Sequence, residues 1–516
     1  MKLCELLRGV NVKKCALPLD TEISQICSDS REVLPGGMFI CVTGTHRDGH
    51  DYISDAVSRS CAVVVLEREV ADDVLHVPYV LVENTRLAEA YIWNNFYARP
   101  ADGMRVIAVT GTNGKTSCAF MMREIFRRAG AKVGLITTVR AMFEDEVLGT
   151  LGGSSVSDVT GAMTTPDPEY LYGTIAMMKN RAADVLVLEV SSHALSQYKT
   201  DPLSIDIAVF TNLSEEHLDY HGTMENYFAA KCRLAESAAR LIINDDDVFM
   251  HRLKDMFARD KRVVTCSADS TSRRHLSADV SALRQSVSLS DGAEYVYFSK
   301  EAVFRLSCPI PGGYTVQNSL LAAAAALECS VSAESVRDAL GKITSIDGRL
   351  ERVDLSEYSV GFSAYVDYAH TPAALEALLL FLRRERTRGQ RIILLFGCGG
   401  ERDRSKRRRM GDIASRLADF VIVTSDNSRN EDAETIISEI VSGLDLEKPH
   451  AVIKDRREAI EYGVSCAREG DILLLAGKGH EKYEIDASGK HPFDEAAILR
   501  AACDMKNKNN DKGRDK

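Results

Sequence analysis

The stretch Val106-Ile107-Ala108-Val109-Thr110-Gly111-Thr112-Asn113-Gly114-Lys115-Thr116 limits what this chain can fold into more than any other. An apolar strand runs into a glycine-bearing turn that ends in Lys-Thr, and a helix-like segment follows from about Ser117 to Ala129. At Gly111 and Gly114 backbone N–H groups can crowd around phosphate oxygens, where a Cβ would clash. The start of the following helix adds the positive end of its dipole. Lys115 can reach outer phosphates, and the Thr116 hydroxyl can ligate Mg2+. The spacing is shorter than the full Walker pattern, since only Thr112 and Asn113 separate Gly111 from Gly114-Lys115-Thr116. The alternative is a surface Gly-Asn turn with a solvated lysine; the strand before and the helix after favour nucleotide phosphate binding.

A chain of 516 residues is too long for one core and suggests about three domains. The formal net charge of −11 does not favour nucleic acid or an anionic membrane as the main partner. Glu5 and Arg8 break the apolar character of the N-terminus, which does not read as a signal peptide, and no apolar run is long enough to span a bilayer. The 13 cysteines are scattered without a C-x-x-C pair, which points to reduced thiols in a cytoplasmic protein.

The pattern along the chain predicts an α/β protein of three domains. Residues 1–103 form a small N-terminal α/β domain with strands at 62–66 and 79–82. Residues 104–346 alternate strands (105–110, 133–137, 184–190, 206–211, 240–243) with helices, as in a P-loop ATPase-like parallel-sheet domain. Within it, the Ser-rich stretch 260–308 reads as an antiparallel insertion. Residues 347–503 repeat the alternation, with strands at 391–396, 420–424 and 471–475, as a Rossmann-like domain. The polar segment 504–516 is expected to be a disordered tail.

Two further segments carry chemistry-bearing residues. Asp184 to His193 is a buried-type strand ending in Glu189, a position that commonly holds Mg2+ in phosphate-loop enzymes. Thr211 to Gly222 clusters His217, His221, Glu215, Glu216 and Asp219 after another strand; spacing alone leaves structural and functional roles equally open. By itself Lys231 reads as a surface lysine on a helix, and Lys406-Arg407-Arg408-Arg409 as a solvated helix face.

In order, Gly111-Thr112-Asn113-Gly114-Lys115-Thr116, Glu189-Val190-Ser191-Ser192-His193, His217-Leu218-Asp219-Tyr220-His221-Gly222, Asp367-Tyr368-Ala369-His370-Thr371-Pro372 and Gly477-Lys478-Gly479-His480-Glu481 make a specific set. Over about residues 20–500 the chain resembles the Mur ligases of bacterial cell-wall synthesis, most of all those that add the third amino acid to UDP-MurNAc-L-Ala-D-Glu. The resemblance implies that Gly111 to Thr116, Asn318, Arg349 and Asp367 bind ATP, with His370 nearby. It implies catalytic roles for Lys115, Glu189, His217 and Lys231. Thr116, Glu189, His217 and Lys231 would hold Mg2+, with Lys231 carrying an Nζ-carbamate. The first domain would bind the UDP-linked substrate, through Ser30, Thr45 and His46, together with Thr164, Thr165, Ser191, Gln197 and Lys199. The last would bind the amino acid, through Arg402, Asp426, Asn427, Arg429, Gly477 and Glu481.

Relatives often carry Arg at the position of Lys199; Lys keeps the charge and loses the bidentate fork. Asp426-Asn427-Ser428-Arg429 matches the Asp-Asn-Pro-Arg motif of enzymes adding meso-2,6-diaminopimelate, with Ser428 in place of Pro. The expected reaction is therefore ATP-driven amide formation at the D-Glu γ-carboxylate through an acyl phosphate, on small-molecule substrates, by a monomer. A lysine- or ornithine-adding ligase, a folylpolyglutamate synthase-like ligase and a non-catalytic phosphate-loop protein are the alternatives.

Overall fold

The structure, a computed structural model, describes residues 1–44, 47–70, 76–148 and 163–514. Three sheets carry the fold, followed by a small hairpin, Tyr483–Asp486 with Gly489–Pro492. The first sheet has five strands in the order Val12–Cys15, Tyr79–Val82, Val63–Leu66, Met38–Ile40, Ile26–Cys27; only the first pair is antiparallel. The Asn84 side chain caps the helix Thr85–Phe96 by accepting from the Leu87 N–H. That helix packs on Pro168–Asn180 of the next sheet's layer, so one apolar core runs from Leu3 through Trp93 and Tyr172 to Leu253.

The central sheet has eleven strands. Its parallel heart runs Arg262–Ser267, Ala238–Asn244, Ile205–Phe210, Arg105–Thr110, Val185–Glu189, Val133–Ile136. Such strands are covered on both faces, which explains their unbroken apolar runs: Val185–Glu189 is buried at every position. The helix Lys115–Arg128 and the alanine-rich helix Thr315–Glu328 cover one face through Met121, Met122, Leu320 and Leu321. The expected antiparallel insertion is narrower than 260–308. Arg262–Ser267 pairs in parallel after the crossover helix Val248–Phe257, and the antiparallel part begins at Val280–Ser288 and continues through Gly292–Ser299 and Val303–Cys308.

The third sheet runs Glu351–Arg352, Ser363–Asp367, Ile472–Ala476, Ile392–Phe396, Phe420–Val423, His450–Val452, parallel after its first pair. The segment from 504 is not the disordered tail its polarity suggested: the helix Glu495–Arg514 continues through it. Its inner face supplies the reason. Cys503 is buried, and the Lys506 ammonium donates to the carbonyls of Val464 (2.8 Å) and Ala467 (2.5 Å) at the end of the helix Arg456–Cys466.

The run Lys406 to Arg409 departs from its solvated reading at one position. It lies on the helix Ser405–Leu417, where Arg408 and Arg409 are exposed as a solvated face should be, Arg409 reaching Glu215 (2.6 Å), and Lys406 donates to the His370 carbonyl (2.9 Å), but Arg407 is fully buried.

Candidate active site

The parallel strands of the second and third sheets end at a common space. Loops leaving Thr110, Glu189 and Phe210 on one side, and Asp367, Phe396, Val423 and Ala476 on the other, line one cavity of about 850 Å3. Ligands of parallel α/β sheets bind at such strand ends, where loops and helix N-termini converge.

The phosphate turn is built from both local and distant parts. Gly114, at φ +84°, starts the helix Lys115–Arg128. The Thr112 N–H donates to the Asn212 carbonyl (2.8 Å) and the Asn113 N–H to Asn212 Oδ1 (2.9 Å), so the loop after Phe210 holds the turn in shape. Lys115 folds back on its own loop, donating to the carbonyls of Gly111 (3.1 Å) and Thr112 (2.8 Å).

Glu189 is buried, and its Oε2 accepts from the Thr116 hydroxyl (3.0 Å) and the Thr138 N–H (3.1 Å), while Oε1 accepts from the Thr138 hydroxyl (2.9 Å). Arg349, at the start of the last domain, donates to Thr116 Oγ1 (3.0 Å) and lies over the Tyr368 ring.

Lys231 overturns its surface reading. Its ammonium is fully enclosed beneath the phosphate turn, 3.0 Å from the Gly111 carbonyl, 3.3 Å from the Thr110 hydroxyl and 4.7 Å from the Tyr227 ring centre. Burial, and then the Lys115 charge, push its pKa well below the usual lysine value. Burial likewise lowers His217 to about 4, so that imidazole is neutral and one of its two nitrogens can ligate or accept. Glu216, by contrast, is held well below the usual carboxylate range: burial raises it, and the His370 hydrogen bond, with the Lys115 charge among its neighbours, outweighs burial.

Thr116, Glu189 and His217 bring a hydroxyl, a carboxylate and a neutral imidazole to one cavity, and the two oxygen donors are of the kind Mg2+ takes. No group of three His, Cys, Asp or Glu side chains forms a metal site among the described residues. The protein donors therefore fit a cation that takes the rest of its oxygens from a bound phosphate or water. An ammonium at Lys231 would repel that cation, whereas an anionic form would attract it.

Across the cavity, Arg402, Asp426, Asn427, Arg429, Gly477 and Glu481 form the second half of the lining. The buried Lys478 donates to Asn427 Oδ1 (2.9 Å) and the Tyr483 carbonyl (2.8 Å), and Asn427 Nδ2 donates to Glu481 (2.7 Å). Burial raises Asp426 and the Lys478 and Arg456 charges more than offset it; Glu481 is raised by burial and by Asp426. The Ser428 N–H makes no hydrogen bond among the described residues, so the departure from Pro frees a donor that nothing here uses.

Of the other expected residues, Thr164, Thr165, Ser191, Gln197, Lys199, Asn318 and Asp367 line the same cavity. Lys199 is buried and pairs with Asp167 at 2.7 Å. Gly111 and Lys231 lie directly under the lining, and Ser30 sits apart in the 3-10 turn Ser30–Glu32 of the first domain. Thr45 and His46 lie outside the described residues.

Sequence reasoning missed Thr138 in the lining and the buried Lys478 that braces Asn427 from behind it, and it left Glu216 without a partner. Glu216 adjoins His217, yet its partner His370 (3.0 Å) is 154 residues away, and no local pattern links them.

Three family models match the chain: "Mur ligase family, catalytic domain" over residues 22–97, "Mur ligase middle domain" over 109–326, and "Mur ligase, glutamate ligase domain" over 348–479. A UDP-N-acetylmuramoyl-L-alanyl-D-glutamate–2,6-diaminopimelate ligase of Syntrophomonas wolfei is 36% identical over 508 residues, covering 96% of this chain and 98% of that protein. The ligase of the same name from Geobacillus kaustophilus is 38% identical, covering 92% of this chain and 93% of its own length. A solved structure of a UDP-N-acetylmuramoyl-L-alanyl-D-glutamate–2,6-diaminopimelate ligase superposes with a TM-score of 0.65 at 29% identity, covering 98% of this chain and 99% of that one.

Proposed function

This chain belongs to the Mur ligase family, and from that premise we propose that it joins 2,6-diaminopimelate to the D-Glu γ-carboxylate of UDP-N-acetylmuramoyl-L-alanyl-D-glutamate, converting ATP to ADP and phosphate. The observation that carries the reading is the full-length similarity to ligases of that name, in a chain whose phosphate turn and Asp426 to Arg429 motif face one cavity.

In this reading a γ-carboxylate oxygen attacks the terminal phosphorus of ATP, the bond to the β-phosphate oxygen breaks, and ADP leaves. The amine nitrogen then attacks the acyl carbon, its carbon–oxygen bond to phosphate breaks, and phosphate departs as the nitrogen loses a proton. The side chains contribute positioning and charge neutralisation. Lys115 swings from its loop carbonyls to the outer phosphates, where its charge offsets repulsion between the carboxylate and the triphosphate. Arg349 and Asn318 flank the nucleotide, and Arg402 and Arg429 take the two carboxylates of the amino acid. Mg2+, held by Thr116, Glu189 and His217, would supply Lewis-acid screening of the phosphate oxygens.

Lys231 suits a carbamate. A neutral buried amine adds CO2 and releases a proton to become an anionic oxygen donor, which removes the unfavourable ammonium from beneath the phosphate turn. In this reading the enzyme works in the cytoplasm, where ATP is supplied, and as a monomer.

Phosphate release from ATP, Mg2+ and UDP-N-acetylmuramoyl-L-alanyl-D-glutamate, measured with diaminopimelate, lysine or ornithine, tests the reading. Release dependent on diaminopimelate supports it; release with lysine or ornithine alone reassigns the amino acid, and release indifferent to any of the three defeats it.

A further inference from the structure

Arg407 is fully enclosed in the last domain and takes no direct part in the reaction just described. Its Nη1 donates to Glu431 Oε1 and Glu439 Oε2, both at 2.8 Å. Its Nη2 donates to Glu431 Oε2 (2.8 Å) and the Gly399 carbonyl (3.2 Å). Glu431 Oε2 in turn accepts the Glu401 backbone N–H at 3.0 Å. One guanidinium therefore ties the loop after Phe396, which carries Arg402, to the loop after Val423, which carries Arg429, and to the helix Ala433–Val441.

The same two loops touch beside the cavity. The Gly400 N–H donates to the Asn427 carbonyl (2.9 Å), and Arg429 Nη1 donates to the Gly400 carbonyl (2.6 Å). Each loop also holds a non-glycine residue in the left-handed region, Glu401 and Arg429, both at φ +52°. Such backbone persists only where its surroundings fix it.

The brace has something to resist. Arg402 and Arg429 face one space, and burial followed by the Arg402 charge lowers the Arg429 pKa. The two cations repel each other across that space, an effect the nearby Asp426, Glu481 and Glu401 offset only in part. A substrate with a carboxylate at each end neutralises both, while a monocarboxylate leaves one unpaired.

We propose that Arg407, acting through Glu431, is a positioning residue for amino-acid selection: it fixes the spacing of Arg402 and Arg429 so that a dicarboxylate bridges them. The inference rests on the functional reading above. Only a planar guanidinium spans two carboxylates and a carbonyl at once; lysine keeps the charge and loses the span.

The test uses the full-length protein with Arg407→Lys and Glu431→Gln, measuring steady-state constants for diaminopimelate, lysine, ATP and the UDP-linked dipeptide. Arg407→Lys should raise KM for diaminopimelate about 10-fold or more, the loss of one charge-assisted hydrogen bond. It should cut the kcat/KM preference for diaminopimelate over lysine by a similar factor and leave KM for ATP nearly unchanged. Glu431→Gln, of the same shape, should shift the same constants in the same direction, and it decides the matter if Arg407→Lys does not fold. A folded variant with unaltered diaminopimelate KM and preference overturns the proposal. Parallel loss for ATP, dipeptide and both amino acids overturns it too, because that is general damage. Wild-type turnover without need of diaminopimelate would defeat the functional reading first, and would show before any variant is compared.

Discussion

Gly114→Ala tests the phosphate turn against a matched control in the same helix. Gly114 has φ +84°, and a Cβ there would run into the Asn318 amide, with Cγ at 3.2 Å and Nδ2 at 3.3 Å as well as the nearer Oδ1. Gly130, just past the other end of the helix, has φ +88° and nothing within 4 Å of an added Cβ. Both substitutions carry the same left-handed strain, about 1–2 kcal/mol. Only Gly114→Ala adds the collision, and the buried Asn318 cannot yield without repacking, at about 1–3 kcal/mol. The free turn can relax by shifting its backbone. A turn gripping phosphate cannot, because its N–H groups must keep their aim, so binding bears the collision of about 1–3 kcal/mol while the shared strain is a folding cost in both variants. At about 1.4 kcal/mol per tenfold, nucleotide Kd should weaken by about 5- to 150-fold in Gly114→Ala and by less than about 3-fold in Gly130→Ala. Titration calorimetry with ADP and Mg2+ reads this, with equilibrium denaturation to show that both variants lose similar stability. Equal affinities in the two variants would refute the placement of the nucleotide at this turn.

Lys231→Ala should lower kcat by about 100-fold or more, as expected for removal of a group acting on the transferring phosphoryl charge, with partial rescue by a small carboxylic acid that refills the space; full activity without rescue rules out the carbamate. Arg429→Ala should cost diaminopimelate about 10- to 100-fold more in kcat/KM than lysine or ornithine, through loss of a charge-assisted pair; equal losses for all three reject its selective role. Burial holds His193 and His480 at about 3 and His221 at about 4, all below the ordinary 6.5. These imidazoles stay neutral when folded and protonate first when unfolded, so stability is full above pH 6.5 and falls as pH drops from there toward 4. The imidazole resonances of these three rings should stay in the neutral state down to about pH 5 in the folded protein, where free imidazole is protonated; protonation near pH 6.5 would contradict the burial of these rings.

What the sequence determined by itself is whatever contiguous residues encode. The strand, turn and helix from Val106 to Arg128 need only local geometry and an apolar run, and the parallel strands showed as unbroken hydrophobic segments because both their faces are covered. Glu189 was legible as a site residue because a strand's end is marked by the strand itself. Tertiary structure decided the fate of charges. Lys231 lies on an amphipathic helix like many surface lysines, and only packing against a turn 120 residues earlier buries its amine. Arg407 sits in a basic run of ordinary helical appearance, yet the partners that make its burial tolerable, Glu431 and Glu439, are 24 and 32 residues away. The helix through Lys506 survives its polarity because one face finds carbonyls to bind. Burying a charge is favourable only with partners in place, and those partners come from the fold.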